Sequence, residues 1–163
     1  MSNEKPINLL LVDDEVKFLE SLSQRLSLRE FDVTTASDGQ QAIKAAKGGK
    51  FDVAILDLRM PGMDGTEVLK ILKDKHKWLE VIMLTGYGSI DSAAECTRLG
   101  AFGYLEKPYD FDKLVDVLKE AYTARLKKKF QRDKKRMEDI EFLSMGSPMS
   151  ILTSLRRLDD DEK

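Results

Sequence analysis

The chain has 163 residues, 42% of them hydrophobic and 34% charged, with a formal net charge of −2. That length supplies one compact core and an appendage, and it is too short for two ordinary domains. The balanced charge gives no global sign of a nucleic-acid or membrane surface, the single cysteine Cys96 excludes an internal disulfide framework, and no apolar run approaches the roughly 20 residues that span a bilayer.

Charge is unevenly placed: 16 Lys/Arg against 21 Asp/Glu through Ala124, then 11 against 8 from Arg125 onward. The body is acidic and the tail mildly basic. With no apolar signal segment at the start and no disulfide, a cytoplasmic protein without membrane contact is expected.

In chain order, short runs rich in Leu, Val and Ile alternate with segments of helical period, the pattern of parallel strands joined by crossover helices. Ile7–Val12 reads as the first strand, and Val16, Leu19, Leu22 and Leu26 share one face of the helix after it. Residues 32–35 form the second strand; Ser37 then caps a helix carrying Ala42, Ile43 and Ala46, which Gly48-Gly49 ends. Residues 51–56 are the third strand, apolar throughout as a strand covered on both faces should be. The stretch from Met60 to Gly65 is a loop, followed by a helix marked by Val68, Leu69 and Leu72. Residues 81–84 are the fourth strand, leading through Gly86-Tyr87-Gly88 to a helix over 92–99. Gly103–Glu106 is the fifth strand, and beyond Lys107-Pro108 a helix starts at its cap, Asp110. Right-handed crossovers make this (βα)5 order an α/β, doubly wound, three-layer sandwich around a five-stranded parallel sheet. Ligands in such sheets sit outside the carboxyl ends of the strands, near the switch in strand order.

Those ends carry Asp13-Asp14 after the first strand, Asp57 after the third, Thr85 after the fourth and Lys107 after the fifth. Each has a plain alternative: a helix cap for Asp13 or Asp14, a turn-facing Asp57, a capping Thr85, a solvated Lys107, a half-buried strand aromatic for Tyr104. Independent accidents would not place every reactive group on one edge of one sheet. Three clustered carboxylates call for a hard cation, and Mg2+, which keeps water and phosphate among its ligands, suits an open site. With that charge present, a carboxylate can attack a phosphoryl group and form an aspartyl phosphate. Asp57, alone on a central strand opposite the acidic pair, is the expected nucleophile.

The segments Val12-Asp13-Asp14-Glu15, Leu56-Asp57-Leu58-Arg59-Met60-Pro61-Gly62-Met63-Asp64-Gly65, Leu84-Thr85-Gly86 and Tyr104-Leu105-Glu106-Lys107-Pro108-Tyr109 resemble the receiver domains of bacterial two-component response regulators. The resemblance covers roughly residues 1–124 and implies a flavodoxin-like fold, similar to the chemotaxis regulator. It further implies that Asp57 takes phosphate from a sensor histidine kinase or a phosphotransfer protein. Asp14 would ligate Mg2+ directly and Asp13 largely through water, with Asp57 and the Arg59 carbonyl completing the protein ligands. Thr85 would turn toward the phosphoryl group, Lys107 pair with it, and Tyr104 swing inward, while a cis Lys107-Pro108 peptide would aim the lysine. The family is one of signalling switches that can speed their own phosphorylation and dephosphorylation. Gly86 stands where the family often has alanine, and bulky Arg59 and Tyr87 occupy positions that resemble its tuners of phosphoryl lifetime, so a long-lived phosphoryl state is expected.

Residues 125–163 form a helical extension with no recognisable effector domain. Leu114, Val117, Leu118, Ala121, Tyr122, Leu126 and Phe130 keep a helical period that Met137, Ile140 and Leu143 resume, predicting one helix from about residue 110 to 143. Ser147-Pro148 then opens a short amphipathic helix with Ile151, Leu152, Leu155 and Leu158. The apolar stripe requires a cover: a homodimer is favoured over fold-back or docking on an unidentified downstream protein. The lysine run near residue 128 lacks the interleaved aromatics of a strand-binding surface, so direct DNA binding is disfavoured. A haloacid-dehalogenase-type phosphatase would place its nucleophile after the first strand in an Asp-x-Asp pattern, and a flavodoxin would not set two aspartates against a flavin phosphate.

Overall fold

The apolar runs become five strands, β1 (Ile7–Val12), β2 (Phe31–Ala36), β3 (Val53–Leu56), β4 (Glu80–Thr85) and β5 (Gly103–Glu106), in a computed structural model that describes residues 6–29, 31–86 and 88–160. All pair in parallel in the order β2-β1-β3-β4-β5. The order reverses at β1, which puts the switch point between β1 and β3. Helices α1 (Val16–Leu28), α2 (Gly39–Gly48), α3 (Gly65–Lys75), α4 (Ile90–Arg98) and α5 (Phe111–Lys129) form the crossovers, and α6 (Lys134–Leu143) and α7 (Pro148–Asp160) follow.

Alternation along each strand splits the core in two. Leu9, Leu11, Ile55, Ile82 and Leu84 face Leu22 and Leu26 of α1 and Leu114, Leu118 and Tyr122 of α5. Leu10, Val12, Leu56, Val81 and Met83 face Ala42, Leu69, Leu72 and Cys96 beneath α2, α3 and α4. Central strands buried on both faces explain why their sequence reads as unbroken apolar runs.

Several local expectations need correction. Val16 is 58% exposed and lies off the buried face of α1, because the helix begins there and its core stripe is Leu19, Leu22 and Leu26. The cap of α2 is Asp38, whose carboxylate accepts the Gln41 N–H; Ser37 instead donates its hydroxyl to the Gln41 side chain. β3 starts at Val53 and is shorter than expected, although the Asp52 N–H still donates to the Asn8 carbonyl at 2.9 Å and its carbonyl accepts the Glu80 N–H at 3.4 Å, and α4 starts at Ile90 behind Ser89.

The largest difference is the tail. The expected single helix stops at Lys129; the chain turns through Phe130–Asp133, and the Asp133 carboxylate accepts the Arg136 N–H to start α6. The stripe on α5 is covered by fold-back: Ile140, Ile151, Leu152 and Leu155 join the α1/α5 core cluster. α7 lies along α5 in the same direction, its Pro148 and Met149 beside Asp112 and Val115, its Asp159 beside Tyr122 and Lys129. The uncovered face that favoured a homodimer is therefore not present in the folded chain.

Candidate functional site

β1, β3 and β5 are each extended by a backbone hydrogen bond that fixes the next residue at the carboxyl edge. The Asp13 N–H donates to the Ala36 carbonyl at 3.1 Å, that of Asp57 to Val12 at 3.0 Å, and that of Lys107 to Thr85 at 2.9 Å. The four strand ends thus deliver the acidic pair, the lone aspartate, the threonine and the lysine to one place.

Asp13 and Asp57 are buried and Asp14 is the most open of the three; a carboxylate oxygen from each lies within 4.8 Å of the other two. Asp57, 1% exposed, accepts the Leu58 N–H at 2.9 Å and a hydrogen bond from the fully buried Thr85 hydroxyl. Lys107 Nζ donates to Asp13 Oδ2 at 2.6 Å and Glu15 Oε1 at 3.3 Å, and sits 4.0 Å from the centre of the Phe18 ring. Burial pushes the Asp57 carboxyl above the ordinary range, against the Thr85 hydrogen bond and with help from the Asp13 charge. Burial likewise raises Asp13, against the Lys107 hydrogen bond. For Lys107 burial works against the ammonium, but the hydrogen bond to Asp13 and the charges of Asp13, Asp57 and Glu15 outweigh it and hold its pKa above the usual value.

These directions describe a pocket with more negative charge than its own cation offsets. A divalent cation with oxygen ligands fits that donor set. Arg59 lies beside Asp14 and Glu15 on the open side of the acidic cluster. At the mouth, a methyl on Gly86 would lie 4.0 Å from the Lys107 Cβ, so glycine there leaves space rather than avoiding a clash. Tyr104 packs on the side of the sheet covered by α2, α3 and α4, its buried hydroxyl against Gly88, and burial raises its pKa. The Lys107-Pro108 peptide is cis. Tyr87 lies outside the described residues.

Two participants escaped the sequence reading. Gly65 looked like an ordinary loop residue, yet a Cβ there would lie 2.2 Å from the Asp57 carbonyl oxygen and 2.6 Å from that of Leu58; α3 starts hard against the backbone of Asp57 and Leu58. Phe18 is the platform under Lys107, a pairing between residues 89 positions apart that no local pattern signals.

A family model for the response regulator receiver domain matches residues 9–119. ZraR, a transcriptional regulatory protein of Klebsiella oxytoca, is 39% identical over 121 residues, 74% of this chain and 27% of that protein. FixJ of Bradyrhizobium diazoefficiens is 34% identical over 114 residues, 70% of this chain and 56% of its own length. The chain thus spans about a quarter to a half of these relatives. Among solved structures, a CheY-like receiver domain from Methanospirillum hungatei superposes with a TM-score of 0.73 at 28% identity, covering 76% of this chain and 98% of that one. TrrA of Thermotoga maritima, in complex with Mg2+ and BeF, has a TM-score of 0.65 at 33% identity, covering 71% and 98%.

The chain belongs to the response regulator receiver family, a family of phosphoacceptor signalling switches that bind Mg2+ at an acidic pocket. Its relatives are named as transcriptional regulators, so the expectation against direct DNA binding draws no support from them. No helix among the described residues is long and apolar enough to cross a membrane.

Proposed function

We propose that Asp57 is the phosphoryl acceptor, fed by a phosphohistidine on a sensor histidine kinase or phosphotransfer protein. Asp13, Asp14 and Asp57, with the Arg59 carbonyl, are the protein ligands for Mg2+; Thr85, Lys107 and Tyr104 read the modification. The observation that carries this is the Asp57 carboxylate itself, buried, hydrogen-bonded by Thr85 and grouped with Asp13 and Asp14 within 4.8 Å.

A carboxylate oxygen of Asp57 attacks phosphorus as the N–P bond of the donor breaks. The bonding pair leaves on the imidazole nitrogen, which takes up a proton, and Asp57 becomes a mixed carboxylic-phosphoric anhydride. Asp13, Asp14 and Asp57 would hold a Mg2+ ion that, when bound, would supply positive charge to offset the charge developing on the phosphoryl group. Lys107, which rests on Asp13 at 2.6 Å, supplies the second positive point by moving its ammonium to a phosphoryl oxygen. Thr85 transfers its hydroxyl hydrogen bond from the Asp57 carboxylate to the phosphoryl group, and Tyr104 fills the volume it leaves. Water attack at phosphorus returns Asp57, so the domain speeds both its charging and its discharge without being a turnover enzyme. Residues 1–124 form this receiver and residues 125–163 an extension; the signal leaves through protein–protein contact with a downstream protein.

Incubation with acetyl phosphate and Mg2+ adds one phosphoryl group by intact mass, and Asp57→Asn abolishes it. Full labelling of that variant would show the acceptor to be another residue.

A further inference from the structure

The helical period of α5 does not stop where α5 stops. Leu118, Tyr122, Leu126 and Phe130 lead with correct spacing to Met137, Ile140 and Leu143, yet the chain reverses between them. The connector Phe130-Gln131-Arg132-Asp133 contains neither glycine nor proline. Gln131, Arg132 and Asp133 are exposed; the turn carries a backbone bond from Asp133 N–H to the Phe130 carbonyl at 2.8 Å, the Asp133 cap on Arg136 with an ion pair at 3.5 Å, and the Arg136 guanidinium 4.5 Å from the centre of the buried Phe130 ring. Four helix-permitted residues thus separate two helices whose sequence reads as one.

The surfaces that this turn brings together are specific. Ile151, Leu152 and Leu155 are buried against α5. Asp159 accepts from the Tyr122 hydroxyl at 2.9 Å and Lys129 Nζ at 2.6 Å, and Arg156 reaches both Asp159 and Asp52, at the entry to β3. A short connector between one helix and a module that docks on that same helix is the arrangement from which identical elements exchange between chains.

We propose that the connector also straightens, joining α5 and α6 into one helix of about 50 Å that delivers α7 to α5 of a second copy, which returns its own. Every α5–α7 contact is re-formed between chains, with Arg156 of each chain reaching Asp52 of the other. The two states differ in the connector and in the cost of bringing two chains together. Straightening adds intrahelical hydrogen bonds and gives up the Asp133 cap, so protein concentration and the connector sequence set the balance. The inference is independent of Asp57 and of phosphorylation.

Two connector substitutions push in opposite directions while touching neither docking surface. Asp133→Ala removes the cap and leaves a good helix former. Lys134→Pro suits the closed form, because proline is favoured at the first position of a helix and Asp133 already has the extended backbone (φ −102°, ψ 99°) preferred before it. In the straightened form the same proline would sit mid-helix, without its hydrogen bond. Full-length wild-type, Asp133→Ala and Lys134→Pro chains are refolded at high concentration and compared by sedimentation velocity. The expected result is a wild-type dimer, a dimer association constant raised roughly tenfold in Asp133→Ala, and a Lys134→Pro monomer. Should Asp133→Ala fail to fold, the wild-type and Lys134→Pro pair decides alone, and a monomeric wild type then overturns the exchange. A Lys134→Pro dimer equal to the wild type, or a wild type that stays monomeric alongside a folded, monomeric Asp133→Ala, would overturn the exchange.

Discussion

Asp57 and Asp13 are buried carboxyls whose pKa values are raised in the folded protein, chiefly by desolvation. A raised carboxyl means that the native state binds more protons than the unfolded chain, so stability falls as pH rises from the unfolded pKa through the folded one. At neutral pH their charge therefore opposes folding. Asp57→Asn, which keeps the shape and removes the charge, raises the urea midpoint at neutral pH, and the advantage vanishes below about pH 4, where the carboxyl is neutral in both states. A variant less stable than wild type at neutral pH would contradict this reading. Gly65 makes the opposite point. A methyl aimed at two backbone oxygens cannot be absorbed by a rotamer change, so Gly65→Ala costs about 3 kcal/mol by displacing either α3 or the Asp57 backbone. Urea titration measures that loss, and slower labelling by acetyl phosphate measures the displacement of the acceptor.

Between α7 and the body of the fold, polar and apolar contacts carry the docking together. Asp52 is raised by burial even with Arg156 and Arg125 beside it. For Asp159 burial also acts upward, but hydrogen bonds from Lys129 and Tyr122 and the Arg125 charge outweigh it and hold the carboxyl below the usual range. Its contribution is present above the unfolded pKa and is lost as pH falls through the lower folded one. Replacing Arg156 by Met leaves the buried carboxylates of Asp52 and Asp159 short of one cation, a loss of about 3 kcal/mol. In hydrogen exchange, the α7 amides of Arg156→Met should lose protection while those of β1 and β3 keep it. Unchanged α7 protection would mean that apolar packing alone holds the helix. In the intact chain α7 is also the element that should open first in acid.

For the whole molecule, the acidic pocket is an electrostatic burden that a bound cation relieves. Any ligand that binds only the native state stabilises it in proportion to the logarithm of its excess, about 2.7 kcal/mol at a hundredfold over its dissociation constant. For a chain of this size that corresponds to a midpoint shift of roughly 5–10 °C. Saturating Mg2+ should give such a shift, chelation should reverse it, and Asp14→Ala should remove most of it, since Asp14 is the open carboxylate of the three. A full shift in Asp14→Ala would exclude that residue as a ligand.

The five parallel strands and the contents of the sheet's carboxyl edge were legible in the sequence because each depends on local signals, whereas the order β2-β1-β3-β4-β5 came from the structure. Strands buried on both faces must be apolar throughout, crossovers must be right-handed, and the residue after each strand then has one possible location. Ile7–Val12 and Gly103–Glu106 were delimited without error for that reason. The break after Lys129 was not legible, since the stripe from Leu114 to Leu143 satisfies a straight helix and a hairpin equally and no glycine or proline marks the turn. What decided it was burial: Ile151, Leu152 and Leu155 reach α5 of their own chain only if the chain reverses, and that choice also buries Asp52 and Asp159 with their cations. Gly65 and Phe18 belong to the same class, because a close approach or a ring beneath an ammonium exists only once distant segments have been brought together. Sequence periodicity specifies which face of an element must be covered, and only tertiary packing specifies by what.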